Sequence, residues 1–359
     1  MKVAVTWNRF SGMDDEVQRY AARRTINRIT APEMPDRPFD DVRALLRETP
    51  EPNPEAGAQV RDALAGMGRD GDFGRLGESA VWLAEWQGRY PPRIENPTLA
   101  MFAGSHGVLS AGVSLSSVDD TLGQVSALKS GTAPLSAIAA HVEANIRVFE
   151  LAIEQPTPDI SAAPAMTEKE CVATMAYGFE ALEGSPDLLA IGVIGAGIGT
   201  VAAAVACALY GGSAEYWVRP GDEFGPSVTR MRADAVNAAL SRHRGHIDDP
   251  LEALANLGGR ELAACAGAII GARRQGVPVV LDGFATTIAA GVVHALDPDG
   301  LSHVIAAHAT GRPAHQAALE RIGLKPLVEL EFQTGGGLGS CTAIGLLKTA
   351  CAPFLAKPA

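Results

Sequence analysis

The sequence predicts an α/β chain of the doubly wound class, and three observations carry that prediction. From residue 98 onward, short apolar runs alternate with longer helical patterns. The runs are almost continuously apolar, which marks strands buried on both faces of a mainly parallel sheet. Each run ends in a glycine-rich or polar loop, and in such sheets ligands bind beyond the C-terminal strand ends.

Taken in order, residues 1–98 read as a mainly helical region. Charged helical stretches at 14–28, 40–47, 55–67 and 77–88 are separated by joints such as "APEMPDRP" and "TPEPNPE". Proline fits neither a helix interior nor a central strand, so these joints are boundaries. Residues 99–359 read as the ligand-binding α/β domain, with the C-terminal helix a candidate to pack on the helical region.

Strands are expected at 98–104, 188–195, 214–219, 277–283, 303–309 and 326–332. Between them lie helical segments such as "APLSAIAAHVEANIRVFELAI" and "NLGGRELAACAGAIIGARRQ". Thr167 followed by Glu170 is a capping box, an explicit helix start.

The bulk properties exclude several classes. The chain has 359 residues, 47% of them hydrophobic and 20% charged, enough for a full core. A net charge of -11 without a basic block argues against nucleic acid. No secretory signal opens the chain, and the apolar stretch 187–211 is interrupted by glycines, so no membrane partner is expected. Cys171, Cys207, Cys265, Cys341 and Cys351 are an odd set without CxxC spacing. Neither zinc nor a disulfide framework is expected, the cysteines read as small core residues, and a reducing cytoplasm fits.

The strand-end loops hold the candidate chemistry. "GAGIGTVAAA" (195–204) places Gly195, Gly197, Gly199 and Thr200 between a strand and a helix N-terminus. That is either a phosphate cradle or close helix–sheet packing. "RPGDEFGPSVTRMR" brings Arg219, Arg230 and Arg232 to a loop, to grip phosphate or to pair with Asp222 and Glu223. Ser105 and His106 lie in "AGSHGVLS", where the histidine can act as acid, base or donor. Asp282 in "LDGFATT" would bind ribose hydroxyls or cap the next helix, with Thr286 and Thr287 beside it. His308, Arg312 and His315 cluster in "AHATGRPAH". "QTGGGLGSCTA" sets Gly335, Gly336 and Gly337 in a turn open to a ligand, with only Ser340 and Cys341 as nucleophiles. Together these loops describe a cleft for a phosphorylated, sugar-bearing small molecule.

The segments "MFAGSHGVLSAGVS", "APAMTEKE", "GAGIGTVAAA", "LGGRELAACAGAIIGARRQGVPVVLDGF", "AAHATGRPAHQAALERIGLKPLVEL" and "TGGGLGS" resemble, in that order, the nicotinate-nucleotide:dimethylbenzimidazole phosphoribosyltransferase family. The resemblance spans roughly residues 75 to 350. It implies a Rossmann-like α/β domain with a small helical domain, a homodimer, and no metal or redox cofactor. It also implies transfer of ribose 5-phosphate from nicotinate mononucleotide to dimethylbenzimidazole or a related base, giving α-ribazole 5'-phosphate.

Several positions depart from the family pattern. Gly336 stands where the family usually has the glutamate that takes the proton of the base. Gly195 stands for another glutamate, and Thr200, Val201 and Ala202 stand for Asn-Thr-Thr. Ser105 replaces an aspartate, and Arg312 replaces an acid. Substitute bases are Glu331 on the strand before the glycine loop, His106 and His315. Two other functions stay open at this point: a diverged relative that binds a nucleotide, base or partner without turnover, and an enzyme of another class in which water is the acceptor.

Overall fold

Among the described residues six parallel strands form one sheet in the order β2-β1-β3-β4-β5-β6: β1 (Pro97–Ala103), β2 (Asn145–Glu150), β3 (Leu188–Ile194), β4 (Val279–Leu281), β5 (Val304–His308) and β6 (Pro326–Val328). The computed structural model describes residues 38–47, 49–67, 71–218 and 225–355. The helical stretch expected at 14–28 lies outside them. Before the sheet come α1 (Pro38–Arg47), α2 (Pro54–Gly66) and α3 (Gly74–Gln87). The described residues form one compact unit.

Every residue of β1 is buried, as the continuous apolar run requires of a central strand. Alternate side chains serve the two faces. Ala100, Phe102, Leu189, Ile191 and Leu281 join one core with α6 (Glu168–Gly178), α7 (Ile198–Tyr210), α10 (Pro250–Leu257), α11 (Arg260–Arg274) and α12 (Gly283–Leu296). Leu99, Met101, Leu188, Ala190 and Val280 join the other with α3, α4 (Val118–Lys129), α5 (Pro134–His141) and α14 (Leu338–Leu355). Burying each large side chain contributes about 1.5–3 kcal/mol. A smaller apolar cluster joins α2 and α3 to Ala350 of α14, so the C-terminal helix packs on the helices that precede the sheet.

Thr167 caps α6 as its sequence predicts: its hydroxyl accepts from the Glu170 amide at 3.2 Å and Glu170 accepts from the Thr167 amide at 2.8 Å. The cysteines are all buried, and burial lifts the thiols of Cys171, Cys207, Cys341 and Cys351 to about 12. They are core residues in the present state. Among the described residues α14 has the length and hydropathy of a membrane span, a feature the sequence reading passed over. Its Cys341, Ile344, Leu347 and Cys351 are buried against the sheet.

Two predicted elements are corrected. Residues 145–150, read as the tail of a helix, form β2 beside β1, with Phe149 opposite Phe102. Helix α5 ends at His141, and Glu143 adopts a left-handed φ of 54° that breaks the helical path. Residues 214–219, read as a strand, begin with the single-turn helix α8 (Ala214–Trp217). Ser213 caps it by accepting from the Tyr216 amide at 3.3 Å, and the Trp217 indole donates to Gly211 O at 2.7 Å. Those local bonds outweigh the strand propensity of aromatic and β-branched residues.

Candidate functional site

The strand order reverses between β1 and β3: the chain moves outward to β2 and then returns across β1. A crevice opens beyond the C-terminal ends of those two strands. Here the Gly104 amide donates to Ile194 O at 3.0 Å, drawing the two strand-end turns together. A cleft of about 370 Å³ lies above them. Its walls come from the turn 193–199, α4, α9 (Pro226–Arg242), the start of α12, the loop after β5 and the glycine-rich loop before α14.

The turn after β3 is built by glycine geometry. Gly197 caps α7 at a left-handed φ of 83°, and a Cβ on Gly195 would sit 2.9 Å from Gly104 O. Thr121 of α4 holds the turn by accepting from the Ala196 amide at 3.1 Å. The N-terminus of α7 thus faces the cleft with its partial positive charge.

Two arginines also line the cleft. Arg232 on α9 is buried, and its Nε donates to Val113 O at 2.7 Å. Arg312 leads into α13 (Pro313–Arg321) and is half-buried. Two guanidinium groups and a helix N-terminus favour an anion such as a phosphate. The apolar part of the lining is Val193, Ile198, Phe284 and Ala285, and Phe284 is stacked on Trp217 with ring centroids 6.5 Å apart. Such a wall suits a flat ring.

Of the residues predicted from sequence, Gly195, Gly197, Gly199, Asp282, Arg312, Gly335 and Gly336 come together around this cleft. Others do not. Ser105 is buried and donates to Ile153 O at 2.6 Å, so its hydroxyl serves the fold rather than a ligand. His106 is buried behind Gly195, with Nε2 3.1 Å from Glu261 Oε1 but off the axis of a hydrogen bond. Thr200 is fully buried in the first turn of α7. Gly337, at φ 96°, packs on Leu135. Arg230 is exposed, and Arg219 lies outside the described residues.

The substitute bases are placed unfavourably for proton transfer. Glu331 is exposed outside the cleft at a left-handed φ of 55°, because β6 stops at Val328 and the chain turns away. His315 is buried with both ring nitrogens committed. Its Nδ1 accepts from the Thr310 amide at 3.0 Å, which leaves the proton on Nε2, 3.1 Å from Thr287 Oγ1. Asp282 precedes α12 but makes no side-chain cap. Thr286 and Thr287 instead donate to Gly283 O at 3.1 and 2.8 Å. The carboxylate of Asp282 accepts from His308 Nε2 and from the Ser340 amide.

Burial first, then His308 and Arg312, lowers the His315 pKa to about 3. Burial first lowers that of His303, whose Nε2 lies 2.9 Å from Ile269 O, to about 3 as well. Both rings take up a proton below about pH 6.5 when unfolded. The stability they supply is therefore full above about 6.5 and is lost as the pH falls towards 3. The urea midpoint should drop through that window, and His315→Gln should remove part of the drop. A midpoint flat across it would contradict this account.

Reasoning from sequence missed Thr121, Gln124, Thr310 and Gln333 in the lining, and Glu261 behind it. Glu261 carried a signal: it is the lone acid in the small-residue helix "RELAACAGAIIGARR". Thr121 and Gln124 lie on an ordinary helix and carried none.

A crevice at the reversal of a parallel sheet, with two arginines, a helix N-terminus and an apolar wall, defines a protein built to hold an anion such as a phosphate beside a flat ring. A family model described as "Phosphoribosyltransferase" matches residues 49–356. The nicotinate-nucleotide–dimethylbenzimidazole phosphoribosyltransferase of Sinorhizobium medicae is 43% identical over 88% of this chain and 93% of its own length. The enzyme of that name from Agrobacterium fabrum is also 43% identical, over 88% and 92%. A crystal structure of the Thermus thermophilus enzyme superposes with a TM-score of 0.75 at 31% identity, covering 84% of this chain and 96% of that one. The chain belongs to the nicotinate-nucleotide–dimethylbenzimidazole phosphoribosyltransferase family, whose members are pentosyl transferases.

Proposed function

We propose that this chain transfers ribose 5-phosphate from nicotinate mononucleotide to dimethylbenzimidazole or a related azole base, giving α-ribazole 5'-phosphate. A ring nitrogen of the acceptor forms a bond to ribose C1, the bond from C1 to the pyridine nitrogen breaks, and nicotinate leaves with the electron pair. The acceptor's N–H proton is then released. The observation that carries this reading is the pairing of Arg232 and Arg312 with the α7 N-terminus in one cleft. These groups bind the phosphate, and Phe284 and its neighbours take a ring.

No glutamate stands at 336, where the resemblance places the family's base. Positioning of the two reactants then carries the catalysis, a contribution that can reach about 7–11 kcal/mol in well-oriented systems. A homodimer in a reducing cytoplasm belongs to the same proposal, supported by the resemblance and by five buried free thiols.

The test is a calorimetric titration with nicotinate mononucleotide, followed by dimethylbenzimidazole and an assay for released nicotinate. Binding with release is expected. Arg312→Ala should weaken nicotinate mononucleotide by about tenfold or more, the scale of a lost charge-assisted hydrogen bond. Unchanged affinity would remove Arg312 from the phosphate site, and no release would overturn the proposal.

A further inference from the structure

Asp282 stands at the C-terminal end of β4 with its carboxylate fully buried. Oδ1 accepts from Nε2 of His308, the last residue of β5, at 2.8 Å. Oδ2 accepts from the amide of Ser340, the third residue of α14, at 3.0 Å. A residue 58 positions away thus satisfies a first-turn donor that the helix leaves open, where negative charge is also favoured. The backbone reinforces the link. A Cβ on Gly335 would lie 2.5 Å from Asp282 O, and one on Gly283 would lie 2.6 Å from Gly335 Cα. A Cβ on Gly339 would overlap the His308 ring. Asp282, Thr310, Arg312, Gly335 and Gly336 all line the cleft.

We propose that Asp282 is a positioning residue: its two oxygens tie the end of β5 to the first turn of α14, and so fix the glycine-rich loop between them and the cleft wall formed by Gly335 and Gly336. The carboxylate is enclosed and does not itself meet the ligand. It acts through His308 and the Ser340 amide. The proposal rests on the transferase reading only for the choice of nicotinate mononucleotide as probe.

The experiment compares Asp282→Ala and Asp282→Asn in the full chain, at a temperature where circular dichroism shows parent and variants fully folded. Amide hydrogen exchange is read over residues 335–341 and over the rest of the chain, and nicotinate mononucleotide binding is read by calorimetry. Asp282→Ala should speed exchange in 335–341 about tenfold or more and weaken binding by a similar factor, the scale of losing bonds to a charged acceptor. Asp282→Asn keeps an acceptor for one of the two donors and should recover part of both effects, which a loss of overall stability would not do. If Asp282→Ala does not fold, His308→Leu removes one of the two ties and should speed exchange in the same segment. Unchanged exchange in 335–341, or an increase shared equally by the whole chain, would overturn the proposal. Should the parent fail to bind nicotinate mononucleotide, the transferase reading falls, while the exchange data still decide the role of Asp282.

Discussion

Gly336→Glu is expected to raise kcat for nicotinate release by roughly 10²–10⁴-fold, the usual contribution of a general base. The position has room for the change. No heavy atom lies within 4 Å of the place a Cβ would take, and the backbone φ there lies outside the left-handed region. Gly336 is exposed at the mouth of the cleft, so the new carboxylate is built on its wall rather than into the core. Its neighbours behave differently. A Cβ on Gly335 would strike Asp282 O, and Gly337 combines a left-handed φ of 96° with contact to Leu135. Only the middle glycine of the three accepts a side chain without backbone movement. The measurement is nicotinate released at saturating concentrations of both substrates, with the unfolding midpoint as a control for folding. An unchanged kcat in a folded Gly336→Glu protein would mean that proton removal does not limit this chain.

The largest expected loss of stability follows Gly267→Val. Helices α6 and α11 meet backbone to backbone. A Cβ on Gly267 would lie 1.9 Å from Met175 O, and one on Gly178 would lie 2.1 Å from Ala264 O. Overpacking a core commonly costs about 1–3 kcal/mol when side chains can shift. Here the obstacle is a carbonyl inside a helix, so the helices themselves must part, and a cost of about 3 kcal/mol or more is expected. The urea midpoint should fall with little change in slope, since the same surface is exposed on unfolding. The effect reaches the site, because the first turn of α11 carries the Glu261 that faces His106. A midpoint within error of the parent would show that the two helices yield more easily than their contact implies.

The sheet was readable where strands are buried on both faces. The runs at 98–104 and 188–195 became β1 and β3 because a central strand has no polar side to disguise it. β2 escaped notice because it is an edge strand, half-exposed along most of its length, and it follows directly on the pattern of α5. The aromatic run at 214–219 misled for the opposite reason: its apolar content is real, but Trp217 is buried by a one-turn helix that supports Phe284.

In the site, glycines were more informative than side chains. A glycine at a strand end reports a close backbone approach or a left-handed turn: Gly195 and Gly335 make the first, and Gly197, at φ 83°, makes the second. A polar residue at a strand end can turn either way. Ser105 and His315 turn into the core and spend their hydrogen bonds there, while Arg232, one of three arginines in its stretch, turns into the cleft. Direction is set by packing from helices far away in the chain, and spacing along the sequence does not record it.

Because all six strands run the same way, the strand-end loops that touch the cleft emerge from one edge of the sheet, joined there by α4 and α9, while the two apolar cores occupy its faces. Ligand choice and foldedness are therefore written in largely separate parts of the chain. Neither the loop 309–312 nor the segment 333–336 contributes a residue to either core. A graft of either segment from a relative should therefore leave the melting temperature close to that of its host.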